Sequence, residues 1–311
     1  MKYTGLNQQI WNNNFKSVVL LILFPAVIFG LVWLFVFFVQ PDPGFRVATA
    51  NQAFLRNIPW VSIAVIVWFI IAWFSHTKMI EKATGAAPLS RKENMRIYNL
   101  VENLCIGSGM PMPKINILED DSLNAFASGI NTPTFTVTLS RGIINKLDDA
   151  ELEAVIAHEL THIRNRDVRL LIISIIFVGI FAFLTEAIVR SVRFSGGGRG
   201  KKDGRVVMVA LLLAALGYFL SSLFRFAISR QREYMADGGS AQMTKNPLAL
   251  ASALEKISVD SQIEAVKRND VAQLFIENPQ EKKIRPASFP FHSMFMTHPP
   301  IEKRIALLRQ F

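Results

Sequence analysis

A nearly uninterrupted apolar run near the N-terminus, Ser17 to Val39, limits the folds open to this chain more than any other sequence feature. Inside a bilayer no water can satisfy the backbone, so a single run of this length crosses it as an α-helix. The run is longer than the apolar core of a secretory signal peptide, and no small-residue cleavage site follows it. We therefore predict an uncleaved membrane anchor, and a second apolar run, Ile58 to Phe74, predicts a second span.

The composition agrees with a membrane protein, since 51% of the residues are hydrophobic and the mean hydropathy is +0.30. Two more apolar stretches, Leu170 to Val189 and Val206 to Phe224, predict a second helical hairpin. Lys and Arg residues follow the second span, which favours a cytoplasmic location for the N-terminus and for everything after residue 75. The linker of the second hairpin, residues 195–204, is also basic. This hairpin therefore either crosses the bilayer against that preference or enters it only in part.

The net charge of +10 does not indicate nucleic-acid binding, because the basic residues are scattered or flank apolar runs and no nucleic-acid motif accompanies them. The single cysteine, Cys105, excludes an internal disulfide and fits a reducing compartment. We interpret Cys105 as a small core residue and not as a nucleophile.

Residues 158–162 read His-Glu-Leu-Thr-His, the H-E-x-x-H pattern. On a helix, positions i and i+4 lie on one face, so His158 and His162 can direct both imidazoles at one zinc ion. Glu159 lies beside that point and is a candidate general base for a zinc-bound water. The pattern therefore predicts a hydrolytic metal centre.

The helix that carries this motif has a recognisable start. Asp148, followed by Glu151 three residues later, forms a capping-box pattern. Neither Gly nor Pro interrupts the sequence between the motif and Leu170, so we expect one continuous helix into the third apolar stretch. The zinc would then lie close to the membrane surface.

A third ligand is needed, and Glu233 is the best candidate. Glu233 and Asp237 are four residues apart, so both lie on one face of a helix. Asp237 can then accept a hydrogen bond from the outer nitrogen of a ligand histidine and orient its ring. The alternative is an ordinary charged helix face with Arg230 and Arg232 as partners, but the H-E-x-x-H motif upstream favours the metal site.

Periodicity predicts the remaining elements of the chain. The predicted helices are Ser90 to Cys105, Pro247 to about Val266, and Pro299 or Pro300 to about Gln310, and the predicted strands are Lys114 to Leu118 and Thr134 to Leu139.

The chain resembles the HtpX-type membrane zinc metalloproteases, bacterial relatives of the prenyl-protein endopeptidase. The resemblance extends over nearly the whole chain, and its motifs occur in the expected order. These motifs are the two N-terminal apolar runs, residues 124–127 (Asn-Ala-Phe-Ala), 158–162, 230–237 (Arg-Gln-Arg-Glu-Tyr-Met-Ala-Asp), and 298–300 (His-Pro-Pro) with Arg304. The resemblance implies one zinc ion per chain, held by His158, His162 and Glu233, with Glu159 as the base.

The resemblance also implies roles for residues outside the metal motif. Asn124, Ala125, Phe126 and Ala127 would lie on an edge strand that pairs with an extended substrate backbone. His298 would help to stabilise the tetrahedral oxyanion, and Arg304 would support that region. The substrates would be membrane proteins, in particular damaged or misfolded ones cleaved at cytosolic segments, as in a stress response.

Together these features predict a mainly α-helical membrane protein. It would combine two N-terminal transmembrane helices, an α+β gluzincin-like zinc protease domain with a small edge-strand sheet, and a second apolar helical hairpin. We expect a multi-pass protein of the cell (inner) membrane whose active site faces the cytoplasm and whose partners are polypeptide substrates and the lipid bilayer. The predicted segments are 1–76 for the two-helix anchor, 77–169 for the first half of the protease domain, 170–225 for the apolar hairpin and 226–311 for the second half.

Three alternatives remain open at this point. A non-proteolytic membrane scaffold with a structural zinc would not require Glu159. A transporter is disfavoured, because apart from Glu186 the apolar stretches contain no ionisable residue placed to line a path. A protease that processes lipidated C-termini stays within the enzyme class. The cleavage sequence, the regulation and the oligomeric state are left open by the sequence.

Overall fold

The computed structural model describes residues 6–40, 42–194, 204–226, 231–259, 275–276 and 299–311. The chain divides into two compact units. The first consists of Met1–Phe15, His76–Ile172 and Ile228–Phe311, and the second of Lys16–Ser75 and Ile173–Ala227. The finer division into four segments stays a prediction.

Two long helices, α1 (Leu6–Val39) and α2 (Arg46–Thr84), contain the two predicted spans. Among the described residues they are the helices long and apolar enough to cross a membrane, over Ile10–Val39 and Pro43–Thr84. A short 3-10 turn, Pro43–Phe45, joins them. The prediction of two N-terminal apolar helices is confirmed.

The second apolar pair is also helical, as α6 (Asp167–Phe194) and α7 (Gly204–Phe226). The strongly apolar part of α7 is short, Val206–Phe219. The two helices approach closely at Gly217, where an added Cβ would lie 2.4 Å from the ring of Phe181. The basic linker between α6 and α7 lies outside the described residues, so the depth of this hairpin stays open.

The helix that carries the metal motif, α5 (Asp149–Arg164), ends before the apolar stretch. Asn165 caps it, Arg166 adopts a left-handed conformation with φ of 63°, and α6 begins at Asp167. The prediction of one continuous helix is therefore wrong here. Neither Gly nor Pro marks the break, and a left-handed Arg is a local strain that only surrounding contacts can hold.

A four-stranded mixed sheet lies in the first unit. Its strands are β1 (Ala87–Pro88), β2 (Lys114–Leu118), β3 (Ala125–Ser128) and β4 (Thr136–Ser140), in the spatial order β1-β2-β4-β3. β2 and β4 are parallel and the other pairs are antiparallel, so β3 forms one edge. Gly129 permits the turn after β3, since its φ is 113° and an added Cβ would lie 2.4 Å from the carbonyl of Thr134.

The other helices in the described part of this unit are α3 (Met95–Ser108), α4 (Arg141–Lys146), α8 (Gln231–Thr244), α9 (Pro247–Val259) and α10 (Ile301–Leu308). Of these, α3, α8 and α9 pack against α5. The predicted capping box of α5 is confirmed, because the Asp148 side chain accepts from the Glu151 N–H at 2.9 Å and Glu151 accepts from the Asp148 N–H at 3.1 Å. Cys105 is a buried free thiol on α3, as predicted, and burial raises its pKa to about 11.

Helices α5 and α8 pack closely, which brings distant parts of the chain together. Side chains along α5 are fully buried, among them Leu152, Val155, Ile156 and Leu160. Gly239 on α8 faces Thr161 so closely that an added Cβ would lie 2.4 Å from its side chain. About two turns earlier on α5, the carbonyl of Ala154 accepts a hydrogen bond from the Ser240 hydroxyl at 2.6 Å. These contacts hold the C-terminal half of α8 against α5.

Candidate metal centre and active site

The two histidines of the motif converge as their spacing predicts. The Nε2 atoms of His158 and His162 are 3.2 Å apart, and the two rings are nearly perpendicular with centroids 4.7 Å apart. His158 is fully buried, whereas His162 is partly exposed. Two nitrogens bound to one tetrahedral zinc at about 2.0–2.1 Å are about 3.3 Å apart, so the observed separation matches shared coordination.

Glu233 reaches the same point from the first turn of α8. One carboxylate oxygen lies 3.7 Å from Nε2 of His158 and the other lies 3.7 Å from Nε2 of His162. One ligand atom from each of these three residues lies within 4.8 Å of the others, a grouping that could hold a metal ion. Glu233 is also buried, with 3% of its surface exposed.

Each imidazole has a carboxylate behind it. Nδ1 of His158 lies 3.0 Å from Oδ1 of Asp237, and Nδ1 of His162 lies 3.1 Å from Oδ2 of Asp167. A carboxylate at this distance favours the proton on Nδ1, which leaves the lone pair of each ring on Nε2. Two lone pairs and the Glu233 carboxylate then face one another in a buried space. A bound cation would relieve their repulsion, and two imidazoles with one carboxylate are a donor set that suits zinc.

Asp167 is a site residue that the sequence reasoning missed. In a continuous helix, a residue five positions after His162 would lie off the metal face. The break at Arg166 turns the chain so that the Asp167 carboxylate, which is 1% exposed, faces the imidazole. The sequence does show an acidic residue shortly after the motif. Whether that residue faces His162 depends on the break at Arg166, which the sequence did not predict.

Glu159 lies beside the cluster and is buried, with 2% of its surface exposed. Burial raises the pKa of its carboxyl, and the charge of Glu233 adds to this, while the two histidines oppose it; the pKa remains above its ordinary value of 4.5. A cavity of about 30 Å³ is lined by Glu159, His162, Glu233 and Ala127, among others, and has room for about one water. A carboxylate with a raised pKa next to a water-sized space is suited to general-base chemistry.

Arg304 is part of the same buried network, close to the candidate metal ligands. Its guanidinium donates to both oxygens of Asp237, at 2.9 and 2.7 Å, and lies 3.7 Å from the Glu233 carboxylate. Burial alone would raise the pKa of Asp237, but the charge of Arg304 and the hydrogen bonds from His158 and Arg304 hold it below its usual range. Arg304 therefore keeps Asp237 ionised and in position behind His158. His298 lies outside the described residues.

The predicted substrate edge is an edge strand next to α5, and it is partly occupied by the chain itself. In the pairing of β3 with β4, Phe126 lies opposite Thr138 and the Ser140 N–H donates to the Asn124 carbonyl at 3.0 Å. The backbone N–H and carbonyl groups of Ala125 and Ala127 therefore point away from β4. The outward carbonyl of Ala125 accepts from the Ile276 N–H at 2.8 Å.

Phe275 forms an antiparallel bridge with Phe126, and their rings are 4.6 Å apart. Sequence reasoning gave this pair of residues no role, although Leu274, Phe275 and Ile276 form an apolar run between Gln273 and Glu277. Ala127, further along the strand, lines the cavity beside Glu159.

Comparisons with known proteins agree with this geometry. The sequence model of peptidase family M48 matches residues 91–311. A protein named Protease HtpX homolog from Bacteroides fragilis is 58% identical over 323 aligned positions, which cover all of both chains. Proteins of the same name from Dictyoglomus turgidum and Lactobacillus helveticus are 41% and 31% identical, covering 79% and 98% of this chain and 82% and 99% of their own.

A solved structure shares the fold. The crystal structure of S. mikatae Ste24p is similar with a TM-score of 0.51 at 20% identity, over 96% of this chain and 66% of that one. The family match over most of the chain and the full-length relative at 58% identity confirm the resemblance read from the motifs. The chain therefore belongs to peptidase family M48 and is a membrane-type metalloprotease.

Proposed function

We propose that this protein is a zinc endopeptidase that cleaves membrane or misfolded proteins on the cytoplasmic side of the cell (inner) membrane. The single observation that carries the proposal is the convergence of His158, His162 and Glu233, with the buried carboxylate of Glu159 beside a water-sized cavity. A purely structural metal site would not require Glu159, a buried carboxylate that lies beside the three candidate ligands without being one of them. The alternative of a non-proteolytic zinc scaffold is therefore disfavoured.

In this proposal His158, His162 and Glu233 hold one zinc ion per chain. When bound, zinc would supply an acidified water and an electrophile for the scissile carbonyl. Asp237 and Asp167 keep the two imidazoles in the tautomer that directs Nε2 inward, as their distances of 3.0 and 3.1 Å to the Nδ1 atoms support.

Glu159 is the proton carrier of the proposed reaction. Its carboxylate accepts the proton of the attacking water and delivers it to the nitrogen of the leaving amine. The raised pKa of Glu159 suits both steps, because a more basic carboxylate takes the first proton more readily and its conjugate acid exists at a pH closer to neutral. Burial also keeps bulk water from exchanging that proton.

The substrate backbone is proposed to add to the β3 edge. Asn124, Ala125, Phe126 and Ala127 carry this role, and the structure adds a detail to it. Phe275–Ile276 already pairs with the Ala125–Phe126 part, and the Ala127 backbone hydrogen-bonds to Glu159, so the reacting peptide would add at the Ala127 end of the strand, next to Glu159. Arg304 holds Asp237, and His298 stays the proposed donor to the oxyanion.

The distribution of Lys and Arg around the first two spans supports a cytoplasmic location for the catalytic unit. The loop between the first two spans carries Arg46 and Arg56 against Asp42, whereas Lys78, Lys82, Arg91 and Lys92 follow the second span. This asymmetry favours a cytoplasmic catalytic unit.

The test uses the purified full-length protein in detergent with an unfolded polypeptide as the substrate. Glu159→Gln removes the base and keeps the size of the side chain, so we expect metal content to be retained and turnover to fall by about 10²–10⁴-fold. A chelator should abolish wild-type cleavage, and added zinc should restore it. Glu153→Gln is the matched control, since Glu153 lies on the same helix away from the cluster. Wild-type turnover in Glu159→Gln would refute the assignment.

A further inference from the structure

A buried asparagine near the start of α1 contacts the break between α5 and α6. Asn13 is the middle residue of an Asn-Asn-Asn run, and 1% of its surface is exposed. Its amide donates to Oδ1 of Asp167 at 2.6 Å and to the carbonyl of Asn165 at 2.8 Å. Met1–Phe15 belongs to the same compact unit as these partners, although the rest of α1 does not.

These two hydrogen bonds of Asn13 hold the two residues on either side of Arg166. The carbonyl of Asn165 and the carboxylate of Asp167 flank Arg166, whose left-handed φ of 63° must be held by its surroundings. One amide group therefore ties both sides of the break. It also binds the Asp167 oxygen that does not face His162, because the other oxygen, Oδ2, lies 3.1 Å from Nδ1 of that histidine.

The two histidines are thus held in the same manner. Behind His158 stands Asp237, whose carboxylate is clamped by Arg304 through two hydrogen bonds. On the outer side of His162, Nδ1 lies next to Oδ2 of Asp167, and Oδ1 of the same carboxylate accepts a hydrogen bond from Asn13. A carboxylate bonded through one oxygen can rotate about its terminal torsion, and a donor on the second oxygen prevents this.

We propose that Asn13 is a positioning residue of the metal site, which acts through Asp167 on the imidazole of His162. The inference rests on the proposed zinc site and goes beyond it. It makes the first turns of α1 part of the catalytic apparatus, in addition to the anchoring role of the remainder of that helix.

The test compares Asn13→Leu with Asn12→Leu in the full-length protein. Leu keeps the branching and the number of heavy atoms of the Asn side chain, with bulkier ends, and removes both donors. Asn12 lies on the same helix, and its side chain accepts a hydrogen bond from the exposed Gln8. Zinc affinity is measured by competition with a chromophoric chelator, and ligand geometry by the visible spectrum of the cobalt-substituted protein. We expect Asn13→Leu to weaken zinc binding about tenfold, the lower end for loss of an outer ligand contact, and to alter the cobalt spectrum.

A second comparison separates positioning from mere packing. Asp167→Ala removes the group through which Asn13 acts, so adding Asn13→Leu to that variant should weaken zinc binding no further. Fully additive losses, or a cobalt spectrum equal to that of Asn12→Leu, would overturn the proposal.

Thermal unfolding of the metal-free proteins shows whether Asn13→Leu still folds. If it does not fold, Asn13→Ala provides the same comparison. Failure of the wild-type protein to bind zinc would count against the proposed zinc site, whereas equal binding by wild type and Asn13→Leu would count against this inference alone.

Discussion

Arg304 and Asp237 form a buried ion pair in which the guanidinium donates to both carboxylate oxygens, at 2.7 and 2.9 Å. The same carboxylate lies 3.0 Å from Nδ1 of His158. Arg304, a residue of the last helix, is therefore connected to the metal motif through Asp237, and its guanidinium also lies 3.4 Å from Nε2 of His158. The arrangement explains why both charges can be buried, since each satisfies the other and the histidine completes the set.

We expect Arg304→Met to be strongly destabilising, because it leaves Asp237 charged and buried without its partner. The loss should be about 3–5 kcal/mol in the free energy of unfolding, together with weaker zinc binding. Denaturant titration in mild detergent measures the first quantity. The control is Arg309→Met, which removes an exposed pair with Glu255 and should cost less than about 1 kcal/mol. Equal losses in the two variants would show that burial of the pair is not what matters.

Glu233→Ala tests the third ligand of the proposed site. Because the alanine variant leaves two imidazoles without the carboxylate that lies 3.7 Å from each, zinc occupancy after purification should fall well below that of the wild type. Elemental analysis measures the metal content per chain. Glu255→Ala, on an exposed part of α9, is the control. Unchanged metal content in Glu233→Ala would remove this residue from the site.

Two adjacent glycines on α8 provide a paired test of how the two halves of the metal site meet. An added Cβ at Gly239 would lie 2.4 Å from the Thr161 side chain, whereas at Gly238 it would meet nothing within 4 Å. We therefore expect Gly239→Ala to cost about 1–3 kcal/mol and to lower zinc affinity, because α8 must shift away from α5. Gly238→Ala should be neutral or stabilising by up to about 1 kcal/mol, since Ala favours a helix. Similar thermal unfolding and zinc affinity in the two variants would contradict close packing at this point.

We expect the free energy of unfolding to depend on pH through the carboxyl group of Glu151. Burial raises the pKa of its carboxyl, but hydrogen bonds from Lys256, Ser252 and the Asp148 backbone outweigh this and hold the pKa below its ordinary value of 4.5. The ionised carboxylate therefore stabilises the fold fully above about pH 4.5, and the contribution is lost as the pH falls through the lower folded-state pKa.

The measurement for Glu151 compares unfolding of the metal-free wild type and Glu151→Gln between about pH 7 and pH 3. The difference in stability should be largest near neutral pH and shrink in acid. Glu102→Gln, which changes an exposed pair with Arg91, should show little difference at any pH. A gap between wild type and Glu151→Gln that stays constant with pH would rule out this account.

Local periodicity was sufficient for much of the site. The spacing of four residues that aligns His158 with His162 also aligns Glu233 with Asp237, and the structure has each pair on one helix face. The capping box at Asp148 and the two N-terminal apolar helices are likewise consequences of neighbouring residues. The roles implied for His158, His162, Glu159 and Glu233 came from the motif and the family resemblance together.

Sequence by itself determined which residues can share a helix face and which stretches must be helical, because these depend on backbone geometry over a few positions. Tertiary structure alone decided the rest: the break at Arg166 that turns Asp167 toward His162, the approach of α8 at Gly239, and the pairing of Ile276 with Ala125. Each of these joins residues far apart in the chain or depends on a strained backbone held by distant contacts. Such contacts follow from the packing of the whole unit, and no local pattern encodes them.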